Sequence, residues 1–412
     1  MDNLLSVNEA RRRLLDDFEP VEVTTVPLAQ AVGRVLAQTV IADVELPSFD
    51  YSSMDGFAVR ASDVQSADQN HPVSLEVVGD VPAGKTVEVE LKAGQAIRIM
   101  TGALIPEGAE AVVPVENTDH NYRDPGVPLP SQVSIFRPAH KGENIRPKGQ
   151  DVRIGEEVSQ PGRKLRPQDI GFLAMLGISQ VKVYRLPKVA VFSTGDELTP
   201  VDLPLMPGKI HDSNTYTLVS LIEKHGGQPF NVGIVPDRAE AVQASLDKAV
   251  SEGVDLILSS AGVSVGAFDF VRRVVEDNGH LKFWRVNMRP GKPLTFGVYR
   301  DTPFIGLPGN PVSSFVGFEV FVRPALLKLA GVLDQGRPTQ RVELAEAIDS
   351  DGRESYLRAI IRFEDGRWLA RLTGHQGSGN LRSLVQANAL LLVPSGVKSL
   401  PIGAEVDAWL LD

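Results

Sequence analysis

No cysteine occurs in the 412 residues of this chain. That absence excludes disulfides, thiolate nucleophiles and zinc–thiolate sites together, and it suits a reducing cytoplasm. Long apolar runs are missing too: none approaches the roughly 20 residues needed to cross a bilayer. The first stretch carries Asp2, Glu9 and Arg11 to Arg13 at helical spacing, not the apolar h-region of a signal peptide. Positive charge is in the minority, giving a formal net charge of −10. Without a basic stripe interleaved with aromatics, that balance argues against nucleic-acid binding. What remains is a hydrophobic content of 42% and a charged content of 23%, as in a folded globular protein. The length exceeds one ordinary core, so roughly two to four domains are expected.

Ser6-Val-Asn-Glu9 reads as a capping box, with Leu14, Leu15 and Phe18 continuing one apolar face. A second short helix is expected at about Pro27 to Ala37. From Ile41 to about Gln150, β-type runs (Val73 to Val78, Ala96 to Met100, Ala111 to Val115, Gln132 to Phe136) alternate with turn residues and indicate a small β-rich domain. Lys164 to Leu176 returns to helix, ended by Gly177. Lys188 to Leu329 alternates strands with helices at Ser213 to His225, Arg238 to Glu252, Phe268 to Asn278 and Val312 to Leu329. This alternation predicts a parallel sheet with helices on both faces. Beyond the Gly331 to Thr339 linker the chain is again short and β-like.

The most informative feature is how the central strands end. Val189 to Ser193 runs into Thr194-Gly195-Asp196-Glu197, and Phe230 to Val235 into Pro236-Asp237. Val254 to Ser259 meets Ser260-Ala-Gly262-Val-Ser264-Val-Gly266 and Asp269, and Pro303 to Gly306 meets Leu307-Pro-Gly309-Asn310-Pro311. Open parallel sheets bind ligands outside the carboxyl ends of their strands. Small residues there admit a phosphate to backbone N–H groups, and helix N-termini favour its charge. Singly, Glu197, Asp237 and Asp269 are ordinary caps or solvated acids; gathered on one rim they suit Mg²⁺, which prefers oxygen ligands. An acid–base pair of carboxylates, as in glycosidases, stays open as an alternative. The loop at Gly262 is neither a Walker loop nor a dinucleotide fingerprint. Trp284-Arg285-Val-Asn-Met-Arg289-Pro290-Gly291-Lys292-Pro293 places three cations on a stiff loop, and the guanidinium fork suits a tetrahedral oxyanion. His375, in the Gly374 to Gly379 loop, reads as a hydrogen-bonded structural histidine.

Read in order, several motifs resemble the molybdopterin molybdenumtransferases, the family that includes the E domain of gephyrin. They are Pro47-Ser-Phe-Asp50 with Ser53-Met-Asp55-Gly56, Arg98-Ile-Met-Thr101-Gly102, Gly142-Glu-Asn144-Ile-Arg146 with Asp151, Ser193-Thr-Gly-Asp-Glu197, the Ser260 to Gly266 loop, Pro290-Gly-Lys292-Pro293, Leu307-Pro-Gly-Asn310-Pro311 and Gly374-His-Gln-Gly-Ser378. The resemblance spans nearly the whole chain. It implies a Mg²⁺-dependent cytoplasmic transferase that inserts molybdate into adenylylated molybdopterin and releases AMP, working as an elongated homodimer. By position it implies Glu197, Asp237 and Asp269 as catalytic Mg²⁺ ligands, and Gly262, Ser264 and Gly266 at the phosphates. Arg285, Arg289, Pro290, Arg358 and Ser378 would form the molybdate pocket. Lys292 and Asn310 stand in binding motifs, while Asp55, Thr101 and Asp151 would reach the cleft across the dimer. Candidate delivery partners are the pterin adenylyltransferase and molybdoenzyme chaperones.

The expected architecture is multidomain α/β. A discontinuous N-terminal or hinge domain (1–45 and 147–182) precedes and follows a β-rich insertion (46–146). A parallel-sheet molybdopterin-binding domain (183–331) and a β-rich C-terminal domain (335–412) complete it. The family commonly has lysine at the positions of Arg285 and Arg289 and glycine at that of Ala261. Arginine keeps the charge, whereas a methyl at Ala261 strains any loop that needs φ > 0. Two other readings compete: a non-catalytic scaffold on the same fold, and a hydrolase of ordinary nucleotide anhydrides sharing only the parallel-sheet domain.

Overall fold

A computed structural model describes residues 4–85, 89–120, 127–261, 270–334 and 336–411. The chain divides into two compact units: residues 1–38, 161–167 and 180–412, and residues 39–160 and 168–179.

The smaller unit is built on a five-stranded sheet in the order Ala111–Pro114, Gly56–Val59, Gln95–Ile99, Val73–Val81, Gln132–Ile135. Alternate residues feed its two faces: Phe57, Val59 and Val113 pack on one side, Ala58, Ile97 and Val112 on the other. Gly56 is obligatory, because a Cβ there would sit 2.1 Å from the Val113 carbonyl oxygen.

The larger unit holds the central sheet, ordered Gln228–Val235, Lys188–Thr194, Leu256–Ser260, Thr302–Leu307, Pro293–Tyr299, Gly279–Arg285. The first four strands are parallel, and the last two join antiparallel at one edge. The helix Asn214–Lys224 buries Leu218, Leu221 and Ile222 on the face that presents Val189, Val191 and Leu258. Ala239–Ser251 and Phe270–Asp277 cover the opposite face, against Ala190, Phe192 and Ile257. Helices thus lie on both faces, as the alternation predicts. Pro311–Gly317 continues through a π turn, Phe318–Val322, into Arg323–Leu329.

In the C-terminal portion, Glu354–Glu364, Arg367–Leu372, Thr339–Leu344, Glu405–Leu410 and Ala389–Val393 pair in sequence, and the last returns to the first, closing a barrel. Met288–Arg289 adds in parallel beside Glu354–Ser355.

The helix expected at Pro27 to Ala37 shrinks to a 3₁₀ turn, Leu28–Gln30. Gly33 stands at φ +76, and Val35 and Leu36 bridge to Lys164 and Val183, so extended pairing overrides the helical stripe. The capping box is half-formed: Ser6 Oγ accepts the Glu9 N–H at 3.2 Å, while Glu9 pairs with Arg12 and Arg13.

Candidate functional site

The connection from Lys188–Thr194 goes first to one neighbour, Gln228–Val235, and then crosses over to the other, Leu256–Ser260. Loops leaving two adjacent strands in opposite directions open a crevice between them. A cleft of about 570 Å³ lies there, lined by Thr194, Glu197, Asp212 to Asn214, Ser260, Ala261 and Pro308 to Pro311.

Its walls are braced by Asn214, at the start of its helix and only 9% exposed. The Asn214 amide nitrogen donates to Ser260 Oγ at 2.6 Å and to the Gly309 carbonyl at 2.7 Å, tying two strand-end loops together. Asp212 is buried but fully employed: it accepts from Ser193 Oγ (3.2 Å), Thr215 N (3.1 Å) and Thr215 Oγ1 (2.5 Å). Its role is the helix-capping one that its place before the helix suggests. Ala261 takes φ +75, the strained conformation anticipated for a methyl at this turn. Its N–H donates to the Leu307 carbonyl at 3.0 Å.

Glu197 lines the cleft, and its carboxylate folds back over Gly195, where a Cβ would lie 2.5 Å from Oε2. Asp237 stands within electrostatic reach. Burial raises its carboxyl above the usual range, and the charges of Asp196 and Glu197 push the same way. The Asp237 N–H donates to Asp196 Oδ1 at 3.4 Å. Asp196 is therefore a third member of this acid group, although the sequence singled out only its neighbour. The signal was present, in the same Thr-Gly-Asp-Glu turn. Asp269, Gly262, Ser264 and Gly266 lie outside the described residues. Among the described residues no group of three or more His, Asp or Glu is poised to hold a metal ion.

A second cluster adjoins the cleft through Asn310 and Gly379, both in its wall. Asn310 Nδ2 donates to Ser378 Oγ at 2.9 Å, and Val312 N to the Ser378 carbonyl at 3.0 Å. The loop after Arg289 has a cis Arg289–Pro290 bond, and Gly291, at φ +106, packs near the Ser313 carbonyl. Arg358 is wholly buried. Its Nε donates to Ser383 Oγ at 3.1 Å and its Nη2 to the Gly377 carbonyl at 3.0 Å. Gln376 clamps the Arg358 backbone from both sides, at 2.9 and 3.1 Å. Among the described residues Arg358 has no carboxylate partner. Burial draws its pKa down to about 10, and the charge of Arg289 adds to that shift. A buried guanidinium that feels the charge of a second one creates demand for an anion.

The remaining basic residues divide. Arg285 stacks on Trp284, 3.6 Å from the ring centroid, and Lys292 is exposed. In the smaller unit, Asp55 Oδ1 accepts both the Thr101 N–H and hydroxyl at 2.7 Å. Asp151 pairs instead with Arg146, at 2.6 Å to each oxygen.

An open α/β sheet whose switch-point crevice carries acids on one wall, beside a buried arginine with no carboxylate partner among the described residues, defines a binder of polyanionic ligands. Residues 5–177 match the model of the MoeA N-terminal region (domain I and II), 190–328 that of a probable molybdopterin binding domain, and 341–411 that of the MoeA C-terminal region (domain IV). A molybdopterin molybdenumtransferase of Nostoc sp. is 39% identical over 401 residues, covering 95% of this chain and 89% of its own. Molybdopterin molybdenumtransferase 2 of Mycobacterium tuberculosis is 38% identical over 412 residues, covering 98% and 99%. The solved molybdopterin biosynthesis moeA protein of Pyrococcus horikoshii OT3 superposes with a TM-score of 0.82 at 34% identity, over 99% and 100% of the two chains. The chain belongs to the molybdopterin molybdenumtransferase family.

Proposed function

We propose that the protein inserts molybdate into adenylylated molybdopterin with release of AMP, as a cytoplasmic, Mg²⁺-dependent homodimer. The observation that carries this reading is the buried Arg358, which has no carboxylate partner among the described residues and feels the charge of Arg289, next to a cleft that Glu197 lines with Asp237 in its electrostatic reach. One pocket suits a tetrahedral dianion, and the adjoining crevice suits a phosphoanhydride.

Asp196 and Glu197 raise the cost of ionising Asp237, a cost that a hard cation held by these oxygen donors would offset. Glu197, Asp237 and Asp269 would hold it. When bound, Mg²⁺ offsets the negative charge of the leaving phosphate. The chain's own residues do the rest. Asn214 keeps the Ser260 and Gly309 loops at fixed separation, so the substrate meets a preformed crevice. Arg358, Arg289 and Ser378 orient the oxyanion, with Arg358 locked by Ser383 and Gly377. In this reading Gly262, Ser264 and Gly266 hold the phosphates. Asp55, Thr101 and Asp151 belong to the partner's cleft, and Arg285, Pro290, Lys292 and Asn310 complete the binding surface.

Purified protein given adenylylated molybdopterin, molybdate and Mg²⁺ under anaerobic conditions releases AMP. Glu197→Ala lowers that rate on the order of 100-fold. Its melting temperature changes little, because exposed substitutions usually cost under about 0.5 kcal/mol. Normal turnover by Glu197→Ala rejects the metal assignment. Equal cleavage of an ordinary dinucleotide anhydride without pterin or molybdate points to the hydrolase instead.

A further inference from the structure

We infer that Asp351 is a built-in counter-ion of Arg289 that weakens oxyanion binding between Arg289 and Arg358. The inference rests on the molybdate-pocket reading given above and adds a residue to it. Asp351 Oδ2 lies 3.9 Å from Arg289 Nη1, close enough for attraction and too far for a hydrogen bond. The carboxylate is prevented from closing that gap because Arg353 holds it from the other side. The Arg353 N–H donates to Oδ1 at 3.1 Å and its Nε to Oδ2 at 3.0 Å, with Nη2 also on Oδ2. Arg353 is itself anchored on the Met288 carbonyl at 3.3 Å, one residue before Arg289. Asp351 is therefore fixed at an intermediate distance, neither neutralising Arg289 nor leaving it. Arg353, and more weakly Arg289, keep its carboxyl below the usual range, so the negative charge is permanent near neutral pH.

An arriving dianion would be attracted by the two guanidiniums and repelled by the one carboxylate beside Arg289. Affinity gained equally by bound substrate and transition state does not raise turnover, and a free oxyanion held too tightly would not leave for the pterin sulfurs. A fixed repulsive charge one residue-width away is a simple means of keeping the pocket loadable and unloadable.

The test is isothermal titration of molybdate, with sulfate in parallel, into the full-length protein at low salt. Asp351→Asn should lower the Kd for molybdate about tenfold, the size of one unit charge acting on a dianion across a few ångströms at a wet surface. Glu364→Gln makes the same net-charge change on an exposed strand end and should leave the Kd unchanged. Arg353→Met releases Asp351 toward Arg289 and should weaken binding, an opposite shift that still tests the idea if Asp351→Asn folds poorly. An unchanged or larger Kd for Asp351→Asn, or a smaller one for Arg353→Met, overturns the inference. Arg358→Gln separates the two levels. If it abolishes binding while Asp351→Asn does nothing, the pocket stands and Asp351 is inert. If it binds like wild type, the pocket reading falls and takes this inference with it.

Discussion

Replacing Ala261 with glycine should make the protein more stable, the reverse of the usual result for a glycine substitution. Ala261 sits at φ +75, directly after the Leu256–Ser260 strand and on the cleft wall. An alanine in this region costs about 1–2 kcal/mol, because Cβ crowds the following carbonyl. Glycine removes that cost but widens the unfolded ensemble by about 0.4–1 kcal/mol. The net expectation is a gain of about 0.5–1 kcal/mol, or about 1–3 °C in the transition that melts the central sheet. The methyl has a second consequence. A Cβ at Gly309 would lie 3.1 Å from the Ala261 Cβ, so Gly309→Ala should destabilise the wild type and be tolerated better in the Ala261→Gly background. A chain of two compact units is expected to melt in more than one step, so the useful assays are calorimetry with resolved transitions and exchange of the amide at this position, which is bonded to Leu307. Slower exchange and a higher transition are expected for Ala261→Gly. A lower transition, or additive effects in the Ala261/Gly309 cycle, would refute the strain argument.

Asn214→Ala should remove both cross-braces of the cleft, cost about 1–3 kcal/mol, chiefly through the buried Ser260 hydroxyl left without this donor, and raise KM for the pterin nucleotide more than it lowers kcat. Retention of wild-type KM would show that the loops need no tie. Tyr299 is fully buried and donates to Asp247 at 2.5 Å; burial first, then Asp247, raise its pKa to about 12. The unfolded phenol ionises near 10. The unfolded state therefore releases the proton more readily, and stability falls as pH rises from about 10 to about 12. Urea titrations across that window should show Tyr299→Phe losing less stability than wild type, by about 2 kcal/mol; parallel pH curves would refute the assignment.

Much of the architecture was legible because it follows from local rules. The alternation of apolar runs and helical stripes between Lys188 and Leu329 leaves few arrangements other than a sheet with helices on both faces, and the structure has that sheet. The antiparallel edge was not legible. It depends on a two-residue turn at Arg300 and Asp301, at φ +43 and +67, and neither residue is the glycine that announces such turns. The 3₁₀ turn at Leu28–Gln30 was misjudged because the Val35 and Leu36 stripe is spent on pairing with distant segments.

The site divides in the same way. Residue chemistry marked Glu197, Asp237 and Arg289 as candidates, and the family resemblance added Arg358 and Ser378, since motif order and residue type survive in one dimension. Asn214, Asp196, Gln376 and Asp351 gain their roles only from three-dimensional neighbours: a Ser260 hydroxyl 46 positions away, a turn against Asp237, a strand backbone, a guanidinium 62 positions back (351 − 289). Which charges and turns the chain owns could be read from the order of its residues. Which charge is neutralised, and which is left wanting a partner, was settled by folding, because solvation and Coulomb interaction depend on distance and burial, and neither is written along the chain.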